Sequence, residues 1–133
     1  MIELHPQDRV LHLGCGDGAA TRDFARRASL VLGVDTSDEA VRRARRLAVE
    51  IENLMFVSGS PEGVPWQESF FTVVVSEAPP DDWPRALREI FRVTAPDARV
   101  YIMNPPPEGE DLLRAAGFDQ VRRDGLRLEA RKP

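Results

Sequence analysis

Arg9-Val10-Leu11-His12-Leu13-Gly14-Cys15-Gly16-Asp17-Gly18 decides how this chain reads. A short apolar run enters a glycine-rich turn, and a helical pattern follows from Ala19. Glycine admits positive φ and leaves no Cβ between the backbone and a ligand. A strand feeding such a turn and then a helix is expected to aim free N–H groups and a helix dipole at whatever lies above. Further on, Val31-Leu32-Gly33-Val34-Asp35 is a second apolar run that ends in a carboxylate. A glycine turn followed by an acid at the tip of the next strand is the pattern of nucleotide-binding α/β folds. There the acid accepts hydrogen bonds from ribose hydroxyls.

Bulk composition bounds the rest. The 133 residues fit one domain spanning 1–133, and 42% hydrophobic residues are enough for a real core. A net charge of −4 gives no general attraction to nucleic acid or acidic membranes. The single cysteine, Cys15, excludes an internal disulfide and suits a reducing cytoplasm. No apolar run is long enough to span a membrane, and no signal-peptide core opens the chain. No cluster of residues has metal-ligand spacing.

The alternation runs β-α-β-α-β, then strand, helix, strand, helix and two last strands. Strands are predicted at 9–13, 30–35, 54–58, 70–76 and 99–103. A helix over 19–28 turns Ala20, Phe24 and Ala28 inward. A second, capped by Asp38, runs to about Val49 with Val41, Ala44 and Ala48 inward. Asp81-Asp82-Trp83-Pro84 starts a third, carrying Trp83, Leu87, Ile90 and Phe91 at helical spacing to about Thr94. Asp111–Ala116 is a short helix closed by Gly117. Segments 119–123 and 127–131 form an antiparallel pair around an Asp124-Gly125 turn. The non-alternating Phe70–Ser76 reads as a buried parallel strand. Together these imply a mostly parallel sheet with helices on both faces.

Five ordered segments resemble the class I S-adenosylmethionine-dependent methyltransferases, of the small type-11-like kind. Val10–Gly18 is similar to the first motif and Gly33-Val34-Asp35 to the second. Gly59–Trp66 with Ser69–Ser76 is similar to the third. Ala86–Val93 with Pro96 resembles the helix before strand five, and Leu113–Phe118 the late helix–Gly–Phe segment. The resemblance implies a three-layer αβα Rossmann-like fold with an antiparallel strand near the C-terminus. It implies S-adenosylmethionine as cofactor and a methyl acceptor that the sequence does not identify, a small molecule being favoured over nucleic acid.

Roles follow by position. Gly14, Cys15, Gly16 and Gly18 would cradle the methionine part. Asp35 would hold the ribose, with Thr36 beside the adenine and Ser60 and Pro61 at the adenine edge. Ser76 and Glu77 would lie near the methyl group. Several positions depart from the pattern. His12 stands where relatives carry an acid that helps hold the cofactor's amino group. Ser60 also replaces an acid, and Pro61 has no N–H to offer adenine. Each lost hydrogen bond costs about 0.5–1.5 kcal/mol, enough together to weaken binding markedly. Thr72 and Asp97-Ala98 depart too. The chain opens almost at strand one, and Pro105-Pro106-Pro107 stands where relatives insert a substrate-binding segment. An open site is therefore expected, which a second subunit in a homodimer would cover. These departures support an alternative: a methyltransferase-like binding or assembly module without catalysis. A nicotinamide-dependent oxidoreductase is the third reading.

Catalytic candidates are Glu77, as a base toward the acceptor, and His12. Cys15 reads as a small turn residue rather than a nucleophile. Asn104-Pro105-Pro106 reads as a chance match to an amino-methyltransferase motif, because it follows strand five and not strand four. Arg42-Arg43-Ala44-Arg45-Arg46 reads as a solvated helix face, since Asp38 and Glu39 stand four residues before Arg42 and Arg43. Trp66 and Trp83 read as packing residues.

Overall fold

In the computed structural model, which describes residues 2–133, the elements follow the expected alternation. They are β1 (Arg9–Leu13), α1 (Ala19–Ala25), β2 (Leu30–Asp35), α2 (Asp38–Leu47), β3 (Leu54–Ser58) and β4 (Phe71–Ser76). Then come α3 (Trp83–Val93), β5 (Thr94–Met103), α4 (Gly109–Ala115), β6 (Asp119–Asp124) and β7 (Arg127–Arg131). All seven strands form one sheet in the order β3-β2-β1-β4-β5-β7-β6. Pairing is parallel from β3 to β5, and β7 runs antiparallel to β5 and β6. This is the three-layer fold expected, with β7 as the reversed strand.

Side chains alternate across the sheet and build two cores. Leu11, Leu13, Leu32, Val34, Phe71 and Val74 pack with Leu87 and Ile90 of α3 and Leu113 of α4. Val10, Val31, Val73 and Val75 pack on the opposite side with Phe24 of α1 and Val41 and Ala44 of α2. Burial on both faces explains why β1, β2 and β4 are mainly apolar rather than alternating.

Several boundaries differ from the sequence reading. The first helix stops at Ala25, and Thr21, not the exposed Ala20, is its buried partner to Phe24. Ser37 rather than Asp38 caps α2, its Oγ accepting from the Ala40 N–H. Asp82 caps α3 as expected. β5 begins at Thr94, five residues early, because Thr94 pairs with Phe71 across an irregularity before the main register starts at Arg99. The β6–β7 hairpin turns at Gly125-Leu126.

One surface network positions the crevice. The loop between β3 and β4 is held to α3 by Glu89 and Arg92. Glu89 Oε1 accepts from the Val64 N–H and from Arg92, and Arg92 donates to the Val64 and Trp66 carbonyls. The Arg92 guanidinium holds the Glu89 carboxyl below its ordinary value. Removing Glu89 leaves a part-buried guanidinium and a backbone N–H without their acceptor. Glu89→Ala should lower stability by about 1–3 kcal/mol in urea unfolding. The folded pKa lies below the unfolded one, so the contribution is present above the ordinary carboxylate pKa. It should fade as pH falls through the folded value, and the mutant and the wild type should converge there.

Candidate active site

The crevice opens at the C-terminal ends of β1, β2 and β4, with β1 lying between the other two. Leu13, Gly14, Val34, Asp35, Thr36, Gly59, Pro61 and Ala78 line it. Of the residues singled out by sequence, Gly14, Asp35, Thr36 and Pro61 therefore meet there. Its free volume is about 30 Å3, narrow rather than open. Pro61 stands on one rim and Ala78 on the other. Glu62 ties the rims together by accepting from the Asp81 and Asp82 N–H groups, at 2.8 and 3.0 Å. The chain's own segment after β4 thus narrows the crevice at Ala78.

The glycine turn is folded in on itself. Gly14 and Cys15 donate to the Val34 carbonyl at 2.8 and 3.2 Å, and Gly18 donates to Cys15. Gly16 donates to Asp35 Oδ2 at 2.9 Å. These N–H groups are occupied, contrary to the expectation that the turn would offer them to a ligand. Gly14 has φ +79°, and a Cβ there would lie 2.6 Å from the Ala78 Cβ. Gly16 has φ +57° with open space where a Cβ would stand. The first glycine admits the chain's own strap; the second leaves room beside the turn.

Asp35 faces this turn. Its Oδ1 accepts from the Ser37 N–H at 2.9 Å, and each oxygen keeps lone-pair capacity for a further donor. Thr36 beside it is exposed. Ser60 and Pro61 begin a tight turn closed by the Gly63 N–H on the Ser60 carbonyl. Gly18 is buried at the start of α1, against Phe56. Ser76 is buried at the end of β4.

Cys15 turns into the α1–α2 core. Burial, reinforced by the Asp35 charge, pushes its thiol up to about 12. It stays protonated and is no nucleophile. In native protein Cys15 should react with a thiol reagent at pH 8 on the order of 100-fold more slowly than in unfolded protein.

His12 and Glu77 meet, although 65 positions separate them. Leu13 pairs with Ser76 in register, and the Glu77 N–H donates to the Leu13 carbonyl at 2.9 Å. The Glu77 carboxylate bonds His12 Nε2, and His12 Nδ1 lies 2.9 Å from the buried Thr21 hydroxyl. His12 is 1% exposed, whereas the Glu77 side chain is 45% exposed. The His12 hydrogen bond holds the Glu77 carboxyl below its ordinary value. Thr21, Glu62 and Ala78 escaped the sequence reading. Only the β1–β4 register could have revealed the His12–Glu77 pair.

Other readings are settled by packing. Trp66 stacks edge-on with Phe70, and Trp83 packs against the α3-side core. Arg45 donates twice to the Phe56 carbonyl, so it anchors α2 to β3. Asn104 follows β5, its N–H donates to the Leu126 carbonyl, and it does not line the crevice. Among the described residues no cluster of metal-ligating side chains forms and no helix is long and apolar enough to cross a membrane.

A methyltransferase-domain family model matches residues 10–97, more than half of the chain. The chain is 36% identical over 120 residues to a malonyl-[acyl-carrier protein] O-methyltransferase of Halorhodospira halophila, covering 86% of this chain and 40% of that protein. It is 32% identical over 136 residues to the 23S rRNA (uracil(1939)-C(5))-methyltransferase RlmD of Alkalilimnicola ehrlichii, covering 98% of this chain and 29% of that one. The fold matches the YcgJ protein of Bacillus subtilis with a TM-score of 0.81 at 22% identity, over 91% of this chain and 66% of that one. The chain belongs to the methyltransferase-domain family, within the S-adenosylmethionine-dependent class I. It spans less than half the length of the first curated relatives it matches.

Gly14→Ala tests the crevice geometry. Left-handed backbone at a non-glycine residue costs about 1–3 kcal/mol. The added Cβ must also displace Ala78. Stability in urea should fall by at least about that range, whereas Gly16→Ala should cost only the backbone part.

Proposed function

We propose that this chain binds S-adenosylmethionine between the glycine turn and Asp35 and transfers its methyl group to a small-molecule acceptor. One observation carries the reading. The turn's N–H groups at Gly14, Cys15, Gly16 and Gly18 are occupied, while carboxylates stand on both flanks, Asp35 at the end of β2 and Glu77 just past β4. A pyrophosphate needs free N–H donors at such a turn. An acceptor-rich turn suits a cationic nucleoside with donors at its ribose hydroxyls and amino group. The donor set thus fits S-adenosylmethionine and speaks against a nicotinamide dinucleotide.

When bound, the cofactor supplies an electrophilic methyl on a sulfonium. The chain's part is to hold and orient. Asp35 is placed to accept from ribose hydroxyls. Thr36 and Pro61 border the position of the base. Ser76 ends β4 between the turn and the Glu77–Pro80 segment. Gly16 leaves space without a side chain. Ala78 and Pro61 narrow the mouth, which excludes water once a ligand is seated. The two carboxylates disfavour a phosphodiester backbone at this mouth, which supports a small acceptor over RNA. The named relatives are methyltransferases of malonyl-[acyl-carrier protein] and of 23S rRNA, so relatedness does not choose.

A second reading rests on the crevice volume. At about 30 Å3 it is far below the several hundred Å3 typical of ligand pockets. A crevice that stays this narrow, with the segment from Glu77 to Pro80 fixed over it, would leave a non-catalytic module.

Titration calorimetry separates these outcomes. S-adenosylhomocysteine should bind, and NADH should not. Asp35→Asn removes the charge that accepts from the ribose and should weaken binding about tenfold or more, since hydrogen bonds to charged groups contribute about 1.5–3 kcal/mol. Absence of heat with S-adenosylmethionine and S-adenosylhomocysteine at millimolar concentration would establish the non-catalytic module instead.

A further inference from the structure

Away from the crevice, the β5–β7–β6 side of the sheet carries a groove that the cofactor reading does not use. Leu128 and Ala130 of β7 point into the core beneath α3 and α4, so Arg127, Glu129 and Arg131 stand on the other face. Tyr101 of β5 pairs with Glu129 in register and stands beside them. Arg99, Tyr101, Gln120, Arg122, Glu129 and Arg131 line a groove of about 480 Å3, a volume typical of small-molecule sites. Arg99 is level with Val73 of β4, whereas Ser76 marks the crevice end of that strand. The groove therefore lies toward the other end of the parallel strands.

Its charge is out of keeping with the chain. The whole protein has a net charge of −4, yet three guanidinium groups and one carboxylate line this groove. The acids nearby are committed. Glu129 is held by Arg122 and Arg127 at 2.8 and 2.9 Å, and Asp8 by Arg99 at 2.8 Å. Arg131 is left over. Among the described residues it forms no ion pair, and its Nε is buried without an acceptor. Asp119 is its register partner on β6, but the ladder shifts between Asp119 and Arg122, and Gln120 takes φ +49°. Left-handed backbone at a non-glycine residue is strained, and such bulges recur beside functional sites. A buried guanidinium N–H without an acceptor is costly until a ligand supplies one.

Independently of the cofactor reading, we infer that this groove binds the phosphate or carboxylate group of a small anionic molecule, with Arg131 as its principal donor. A guanidinium donates side by side to two oxygens through Nε and Nη, which suits either group. Arg99 and Arg122 flank it while bonded to Asp8 and Glu129. The Gln120 side chain at the rim offers an amide to the rest of the molecule. One unpaired cation in a groove of this size fits a single anionic group, not a run of phosphates along a nucleic acid.

The experiment follows the Arg131 Nε–H resonance by proton–nitrogen correlation NMR, identified by its absence from Arg131→Gln. Inorganic phosphate and acetate are titrated separately, against sodium chloride at matched ionic strength. At least one of the two oxyanions should shift that resonance saturably at millimolar concentration, while chloride does not. Which one responds identifies the ligand's group as phosphoryl or carboxyl. Thermal melts give a second reading. The gain in midpoint over chloride should be at least about 3 °C larger in the wild type than in Arg131→Gln. Phosphate also stabilises proteins generally by exclusion from their surface, and that effect moves both proteins alike. Should Arg131→Gln fail to fold, Arg131→Lys, which keeps the charge but lacks the Nε–H, takes its place. No saturable shift with either anion, or equal stabilisation of wild type and variant, overturns the inference. Neither result bears on S-adenosylhomocysteine binding, so the two readings fail separately.

Discussion

Gly14 and Cys15 converge on one carbonyl oxygen, that of Val34, and Gly16 on the carboxylate of the next residue, Asp35. The end of β2 thereby clamps the turn that leaves β1. This clamp sets the character of the crevice. It occupies the N–H groups of Gly14, Cys15 and Gly16, and it brings a carboxylate to the turn's edge. The same turn motif with its amides free would make an anion site.

The departures of this chain from its family's pattern become intelligible on that basis. His12 removes a charge from β1, yet the next strand in the sheet returns one through Glu77. The exchange is possible because β1 and β4 are parallel neighbours in tight register. A residue just past the end of β4 can therefore reach the side chain of a residue near the end of β1. Burying the imidazole without a partner would carry a desolvation cost. Thr21 and Glu77 satisfy both nitrogens at once.

Closure of the crevice has a separate origin. The segment after β4 is drawn over Gly14, and Glu62 fastens its far end to the loop carrying Pro61. Glu89 and Arg92 then hold that loop to α3. Carboxylates thus do much of the bracing around a site whose own chemistry is acidic.

The element order, the two-sided burial of the central strands and the turn-plus-acid grouping were legible in the chain alone. They rest on local periodicity and on the backbone freedom of glycine, which neighbours along the sequence suffice to specify. Misplaced details had tertiary causes. Thr21 is buried through its bond to His12, where helical periodicity favoured Ala20. Thr94–Ala98 joins β5 only because Phe71 lies alongside. Pairing of His12 with Glu77, occupation of the turn amides and the narrowing by Ala78 all depend on strand register and on chain segments far apart in sequence. Residue type declares what a side chain is able to bond; three-dimensional proximity decides what it does bond, because a hydrogen bond acts over about 3 Å and carries no record of separation along the chain.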